Sequence, residues 1–391
     1  MQQDLTGMLA RRLDPVLDDA LTQRRLVGIV MLVLQAGHPV YFRSAGFADR
    51  EAGRRMERDA IFRLASLTKP IVTAAAMALI EQGALRLDDP VSAYLPDFRP
   101  RLGDGSTPVI TIHHLLTHTA GLGYGFLQQA DDPYPQAGIS DGLDAPGRSF
   151  ADNLQRIAAV PLASAPGTAW HYSVALDVLG AALEQVAGRP LPQLVRQLVT
   201  DPLDMPDTDF SLRDPSRLAT AYGDGATQPD RLGPTAVIPF AGASGIRLAP
   251  DRHADPGSFP SGGTGMLGTA TDFARLLECI RLGGTPILQP ATVARMTRNQ
   301  IGNLQVDVRD PGWGFGYGWS VLKDPALAAT PHGTGTLQWG GVYGHSWFVD
   351  PAAQLTVIGL TNTAVAGMTG AFPLAVRDGI YSIDWTQHRL A

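Results

Sequence analysis

Ser66-Leu67-Thr68-Lys69-Pro70, running into Ile71-Val-Thr-Ala-Ala-Ala-Met-Ala-Leu-Ile80, is the stretch that decides how the chain is read. The second part is apolar on nearly every helical face, which predicts a helix buried at the centre of something large. Pro70 fits a first helical turn, where a missing N–H costs nothing, and Gly83 closes the run. A helix starting near Ser66 places Ser66 and Lys69 one turn apart on the same side. Only two of the 31 basic side chains are lysines, Lys69 and Lys323. A chain that uses arginine almost everywhere keeps lysine where arginine cannot serve. Arginine stays protonated, whereas a buried lysine can give up its proton. A serine followed three residues later by such a lysine is what an activated serine nucleophile requires. The alternative is an N-cap serine beside a solvated lysine.

Working outward, residues from about Leu5 to Leu26 read as an amphipathic helix. Val27-Gly-Ile-Val-Met-Leu-Val-Leu-Gln35 and Val40–Ala48 read as two antiparallel strands around a Gly37-His-Pro turn. From about Leu85 to Pro290, helical segments such as Ala175–Gly188 alternate with Pro/Gly/Asp-rich loops. Two long excursions, 132–149 and 223–263, have the character of binding walls. After Pro311 strands return: Gly312–Leu322, a strand around Trp339, Gly344–Asp350 and Leu355–Asn362, with a closing helix from about Phe372 to Tyr381. This order predicts one sheet completed by both ends of the chain, with helices inserted between.

Composition narrows the function. The formal charge of −6, with no basic stripe, gives no footprint for nucleic acid. At 45% hydrophobic residues and a mean hydropathy near zero the chain has an ordinary globular composition. No run approaches the ~18 apolar residues of a membrane span, and the first dozen residues lack an apolar leader core, so the expected location is the cytoplasm. The single cysteine, Cys279, falls in a helical run and reads as a buried, inert thiol.

Several longer segments, in order, carry a resemblance. They are Phe62-Arg-Leu-Ala-Ser-Leu-Thr-Lys-Pro70, His113-His-Leu-Leu-Thr-His-Thr-Ala-Gly-Leu122, Trp170-His-Tyr-Ser-Val174 and Leu337-Gln-Trp-Gly-Gly-Val-Tyr-Gly-His-Ser-Trp-Phe-Val-Asp350. From about Leu13 to Tyr381 the chain resembles the serine β-lactamase and penicillin-binding superfamily, most closely its family VIII carboxylesterases. The resemblance implies a two-domain α+β, class C β-lactamase-like fold: an antiparallel sheet flanked by helices, with an inserted all-helical domain. Residues 1–88 and 291–391 would form the α/β part and 89–290 the helical part, with the active site at the junction.

By the same resemblance Ser66 is the nucleophile, Lys69 its basic partner and Tyr172 the tyrosine of the Y-x-N box. A phenol is ordinarily a weak base at neutral pH, but a nearby ammonium favours the phenolate, which could take the serine proton and return it to the leaving group. Trp339-Gly340-Gly341 stands where β-lactamases have K-T-G, implying substrate contact along that strand. The backbone N–H groups of Ser66 and Val342 would form the oxyanion hole. Two departures matter: Val174 replaces the Y-x-N asparagine, and Trp339 replaces the K-T-G lysine. Both take away polar partners for a β-lactam, and an apolar Trp339 suits an uncharged acyl or alcohol group better than a carboxylate. The implied activity is hydrolysis of short-chain or small aromatic carboxylic esters through an acyl-enzyme, with no metal or cofactor and a small-molecule ester as partner. A β-lactamase, D-peptidase or acyltransferase on the same fold is the alternative, and a non-catalytic binding homologue a further one. Nothing in the sequence indicates an oligomeric state.

Two motifs compete for attention. Gly138-Ile-Ser140-Asp-Gly142 matches the G-x-S-x-G nucleophile elbow, which needs a strand before it and a helix after it. Its flanks, Asp131-Asp-Pro-Tyr-Pro and Leu143-Asp-Ala-Pro-Gly, predict a loop instead. His114 and His118 have the spacing of a helical metal pair, but no third ligand is placed to complete a zinc site, and a structural role at a helix end is expected.

Overall fold

A computed structural model describes residues 2–385 except 224 and 226. Its first helix, α1 (Gln2–Thr22), leads into strands β1 (Gly28–Gln35), β2 (His38–Asp49) and the short β3 (Arg54–Arg55). The helices that follow include α2 (Thr68–Glu81), α3 (Ile112–Leu116), α4 (Phe150–Ala159), α5 (Ala175–Ala187) and α6 (Ala270–Arg281). The chain then forms β4 (Trp313–Phe315), β5 (Ser320–Leu322), β6 (Leu337–Gly341), β7 (His345–Asp350), β8 (Leu355–Thr361) and the closing helix α7 (Ala371–Tyr381).

These strands make one antiparallel sheet in the order β4-β5-β6-β7-β8-β1-β2-β3. The first and last thirds of the chain meet at the β8–β1 pairing, which runs in register from Ile29 opposite Thr361 to Gln35 opposite Leu355. Both strands are buried along their whole length, which explains why they read as continuous apolar runs rather than alternating ones. On one face Leu5, Leu9, Leu13 and Leu17 of α1, spaced four apart, pack with Val376 and Ile380 of α7 against Ile29, Met31 and Val33. The opposite face packs Val30, Leu32, Trp347, Ile358 and Leu360 toward α2 and α6.

Sequence and structure differ in two places that matter for the site. The run Gly312–Leu322 is not one strand but a hairpin of β4 and β5. Gly318 turns it at φ +92°, and a β-carbon there would lie 2.8 Å from Thr73 Oγ1 of α2. The helix expected to begin near Ser66 begins at Thr68; Ser66 lies in a preceding 3₁₀ turn, Ala65–Leu67. The other end of α2 follows the sequence signal, with Gly83 in the left-handed conformation, φ +72°, just past the helix. Of the two excursions, 132–149 is irregular apart from one helical turn at Pro133–Gln136, and most of 223–263 is irregular, with residues 224 and 226 outside the described set.

Candidate active site

Residues Thr68 to Leu79 of α2 are all buried, so the helix is a fixed post at the centre of the molecule. The turn before it is held against the sheet. A β-carbon on Gly341 would come within 2.8 Å of the Leu64 carbonyl, so only glycine lets β6 approach this closely. Ala65 takes φ +47° immediately before Ser66, a strained value for a residue with a side chain. The turn presents Ser66 away from the helix N-cap: the cap is Leu67 and receives no side-chain hydrogen bond.

Lys69 is fully buried and its Nζ donates to Ser66 Oγ at 3.0 Å and to the Gly263 carbonyl at 2.9 Å. The Tyr172 hydroxyl lies 2.6 Å from Ser66 Oγ on its other side. The ammonium stands 4.7 Å from the centre of the Tyr172 ring and 5.2 Å from that of Tyr124. Tyr172 is fixed by aromatic neighbours, with Trp170 stacked at 6.2 Å and Tyr124 edge-on at 4.8 Å. Trp339 Nε1 donates to the Tyr172 hydroxyl at 3.1 Å. The three residues expected from the sequence are thus brought together, and Trp339 joins them through a hydrogen bond that sequence reasoning did not foresee.

Strand β6 leaves an edge open at this point. It pairs with β5 only through Leu337 and Gln338, so Trp339, Gly340 and Gly341 have no neighbour on that side. A cavity of about 410 Å³ opens there, lined by Ser66, Tyr172, Trp339, Gly340, Val342 and Arg309 among others. Phe126, Phe240 and Val308 add apolar walls. Gly341 does not line it and instead faces the nucleophile turn. Among the described residues the backbone N–H groups of Ser66 and Val342 donate to no protein acceptor. Val174 is buried at the start of α5 and offers the cavity nothing polar.

A buried network behind Lys69 also escaped the sequence reading. Asp177 on α5 accepts hydrogen bonds from Ser261 and, at 3.1 Å, from the Gly263 N–H, while the Gly263 carbonyl holds Lys69. Burial pushes the Asp177 carboxyl up, opposed by the bonds from Ser261 and Gly263 and by the Lys69 charge. The clues were a lone acid in the apolar run Ala175-Leu-Asp-Val-Leu and the glycine cluster Ser261-Gly-Gly-Thr-Gly265. Neither pointed to Lys69 without the fold.

The competing motifs have other surroundings. Ser140 is fully buried in a loop and its Oγ donates to Asp144 at 2.6 Å. His114 Nδ1 accepts from the Thr111 N–H in a capping box, His113 meets the Tyr317 hydroxyl, and His118 meets Ser173. Burial, then Lys69, holds His118 well below the usual histidine range, so it is neutral. Among the described residues no group of three potential metal ligands comes together. Burial pushes the Cys279 thiol up to about 11, and Cys279 donates to the Gly284 carbonyl.

The chain is similar to known proteins over nearly its whole length. The family model described as beta-lactamase matches residues 13–376. The chain belongs to the beta-lactamase family. Esterase EstB of Burkholderia gladioli is 51% identical over 376 residues, covering 96% of this chain and 95% of that protein. The solved structure described as EstCE1, a hydrolase with promiscuous acyltransferase activity, superposes with a TM-score of 0.91 at 47% identity, covering 96% of this chain and 99% of the other. Simvastatin synthase (LovD) of Aspergillus terreus matches at a TM-score of 0.75 and 22% identity, covering 96% and 98%, a likeness of fold. Within the beta-lactamase family the chain fits the family VIII esterases. Among the described residues no helix is long and apolar enough to cross a membrane.

Proposed function

We propose that this serine ester hydrolase works through an acyl-enzyme on Ser66, with Tyr172 as proton carrier and Lys69 as the charge that sustains it. The observation that carries the reading is the placement of both Lys69 Nζ and the Tyr172 hydroxyl on Ser66 Oγ at the wall of an apolar cavity. Tyr172, as phenolate, takes the Ser66 proton while Oγ adds to the ester carbonyl. The oxyanion forms toward the free N–H groups of Ser66 and Val342. Collapse breaks the bond to the alcohol oxygen, which leaves with the proton from Tyr172. Water then adds to the acyl-enzyme, Tyr172 taking its proton. The second collapse releases the acid and returns the proton to Ser66. The Trp339 N–H holds the Tyr172 oxygen in place beside Ser66 Oγ throughout.

In the same reading Trp339 and Gly340 flank the substrate, and Gly341 lets the strand approach the nucleophile. The cleft lies where residues 1–88 and 291–391, taken as one α/β domain, meet a mainly helical domain of 89–290. Short-chain and small aromatic esters fit the aromatic walls better than bulky ones. Acyl transfer is the second reading: an acyl-enzyme in an apolar cavity can be taken by an alcohol as well as by water, and the neighbour EstCE1 is described with both activities. Esterase EstB adds support for hydrolysis.

The test sets p-nitrophenyl esters of increasing chain length beside a chromogenic cephalosporin, with intact-mass detection of the acyl adduct. Ester turnover should exceed β-lactam turnover by orders of magnitude. Val174 and Trp339 offer a β-lactam no polar partner, and each missing hydrogen bond costs ~1–3 kcal/mol of transition-state binding. Equal turnover of the two classes would refute the meaning given to those residues. Product analysis with an added short alcohol separates hydrolysis from transfer.

A further inference from the structure

We propose that Arg309 forms an anion subsite in the Ser66 cavity, so that the preferred esters carry a carboxylate on one of their two arms. This rests on the reading of Ser66 as the nucleophile and names a substrate class for that same site.

Arg309 lies in the loop before β4 and lines the cavity together with Ser66 and Tyr172. Its guanidinium carbon stands 5.1 Å from the centre of the Trp313 ring and 5.2 Å from that of Trp339. One N–H donates to the neutral Gln338 side chain at 3.2 Å. Among the described residues no carboxylate comes within ion-pair distance of it. Arg281, comparably enclosed, has Glu278 at 2.7 Å. Asp310, next in the chain, also lines the cavity but is exposed to solvent.

A half-buried cation between two indole rings has given up part of its hydration, and the exposed Asp310 carboxylate acts on it only from beyond ion-pair distance. Its planar fork offers paired N–H donors, a geometry that matches a carboxylate with two parallel hydrogen bonds. Burial draws Arg309 down to about 10, which leaves it protonated at neutral pH. The position is also right for substrate. Trp339, whose ring Arg309 covers, donates to Tyr172, and Tyr172 touches Ser66. A carboxylate on an ester bound at Ser66 therefore needs to pass only one aromatic ring to reach the guanidinium. The aromatic walls recognise the apolar body of the substrate, and Arg309 supplies the partner for a charged end that the apolar Trp339 alone would disfavour.

The test compares anionic and neutral esters of matched size in the whole enzyme, in two arms. One arm sets the p-nitrophenyl half-ester of glutarate against p-nitrophenyl valerate, with the charge on the acyl side. The other sets meta-acetoxybenzoate against meta-acetoxybenzamide, with the charge on the alcohol side. Arg309→Met keeps the apolar stem and removes the charge; Arg309→Lys keeps the charge and loses the fork. The anionic-to-neutral ratio of kcat/KM should fall about ten- to a hundredfold in Arg309→Met in at least one arm, mainly through KM. Arg309→Lys should recover part of it. The arm that responds locates the charge. Added salt should erode the ratio in the parent enzyme and leave it unchanged in Arg309→Met. Using a ratio cancels any loss of folding or of Trp339 positioning common to both esters. A ratio that stays constant in both arms overturns the proposal and leaves Arg309 as a brace for Trp339. Failure of the parent enzyme to cleave either the anionic or the neutral esters would instead overturn the reading of the site itself.

Discussion

Two serines in this chain sit in motifs that both read as nucleophiles, and the molecule treats them in opposite ways. Ser66 is enclosed to 4% exposure yet lines a cavity, and its oxygen is shared by Lys69 and Tyr172. Ser140 is completely buried, donates to Asp144, accepts from the Gly142 N–H, and has its own backbone clamped at both N–H and carbonyl by Asn153. Asp144 holds the Ser140 proton, the Gly142 N–H is already bonded to Ser140 Oγ, and complete burial keeps substrate away. The pentapeptide around Ser140 is a loop fastener. What separates the two is not the motif but whether a proton acceptor, free N–H donors and an open wall converge on one oxygen.

The largest expected effect tests that contrast directly. Ser66→Ala should lose roughly 10⁴–10⁶ in kcat, and a fluorophosphonate should label only the peptide containing Ser66. Ser140→Ala should keep its turnover and lose about 1–3 kcal/mol of unfolding free energy, because Asp144 and the Gly142 N–H are left unpaired in a buried site. Label on Ser140, or a Ser66→Ala enzyme at full rate, would break the comparison.

The next effect lies in the groups that make Ser66 different. Lys69→Arg preserves charge, but the planar guanidinium cannot occupy the compact space between Ser66 Oγ and the Gly263 carbonyl. Tyr172→Phe removes the proton carrier. Each should lower kcat by ~10²–10⁴, and the double variant should be little worse than either single one, since the residues act as a unit. Circular dichroism confirms that each is folded. A folded Lys69→Arg enzyme with a tenth of parental kcat would reduce Lys69 to a structural cation.

Ser66 and Lys69 were legible because their relation is local: three residues at a helix start, in a chain that hardly uses lysine. Gly83 was legible for the same reason, since a helix end is decided within one turn. The strands β1 and β8 showed themselves as largely apolar runs because burial on both faces leaves few polar positions. What could not be read depends on tertiary approach. The hydrogen bond from Trp339 to Tyr172 spans 167 residues, and Arg309 reaches the cavity from an irregular loop with no periodicity. Asp177 sits in an apolar helix for the sake of a glycine turn 86 positions away. The Gly312–Leu322 run reads as one strand because alternating glycine and aromatic residues satisfy a strand and a tight hairpin equally well.

A smaller effect sharpens what Trp339 contributes. Trp339→Phe keeps an aromatic wall while removing the N–H that bonds the Tyr172 oxygen at 3.1 Å. Removing one hydrogen bond of this kind corresponds to about tenfold in rate. It should appear in kcat more than in KM, because the bond positions the group that carries the proton. An unchanged kcat with a raised KM would make Trp339 a wall and nothing more.

The smallest effect concerns the other loop. Asp141, next to Ser140, is buried and accepts the N–H groups of Gly125 and Phe126. Burial pushes its carboxyl up to about 8, with Asp144 reinforcing the rise and the two backbone bonds opposing it. In the unfolded chain the same group titrates near its ordinary value of about 4. Between these two values the native state therefore binds more proton than the unfolded state, and stability falls as pH rises from about 4 to about 8. One group supplies at most about 1.4 kcal/mol per pH unit of that slope. Asp141→Asn cannot titrate, so its unfolding free energy relative to the parent should climb across this window and level off above it. Groups common to both proteins cancel in the difference. Denaturant unfolding at pH 5, 6, 7 and 8 measures it. Parallel curves would show that the loop around Ser140 holds its carboxylate ionised, and that its two amide bonds outweigh the cost of burial.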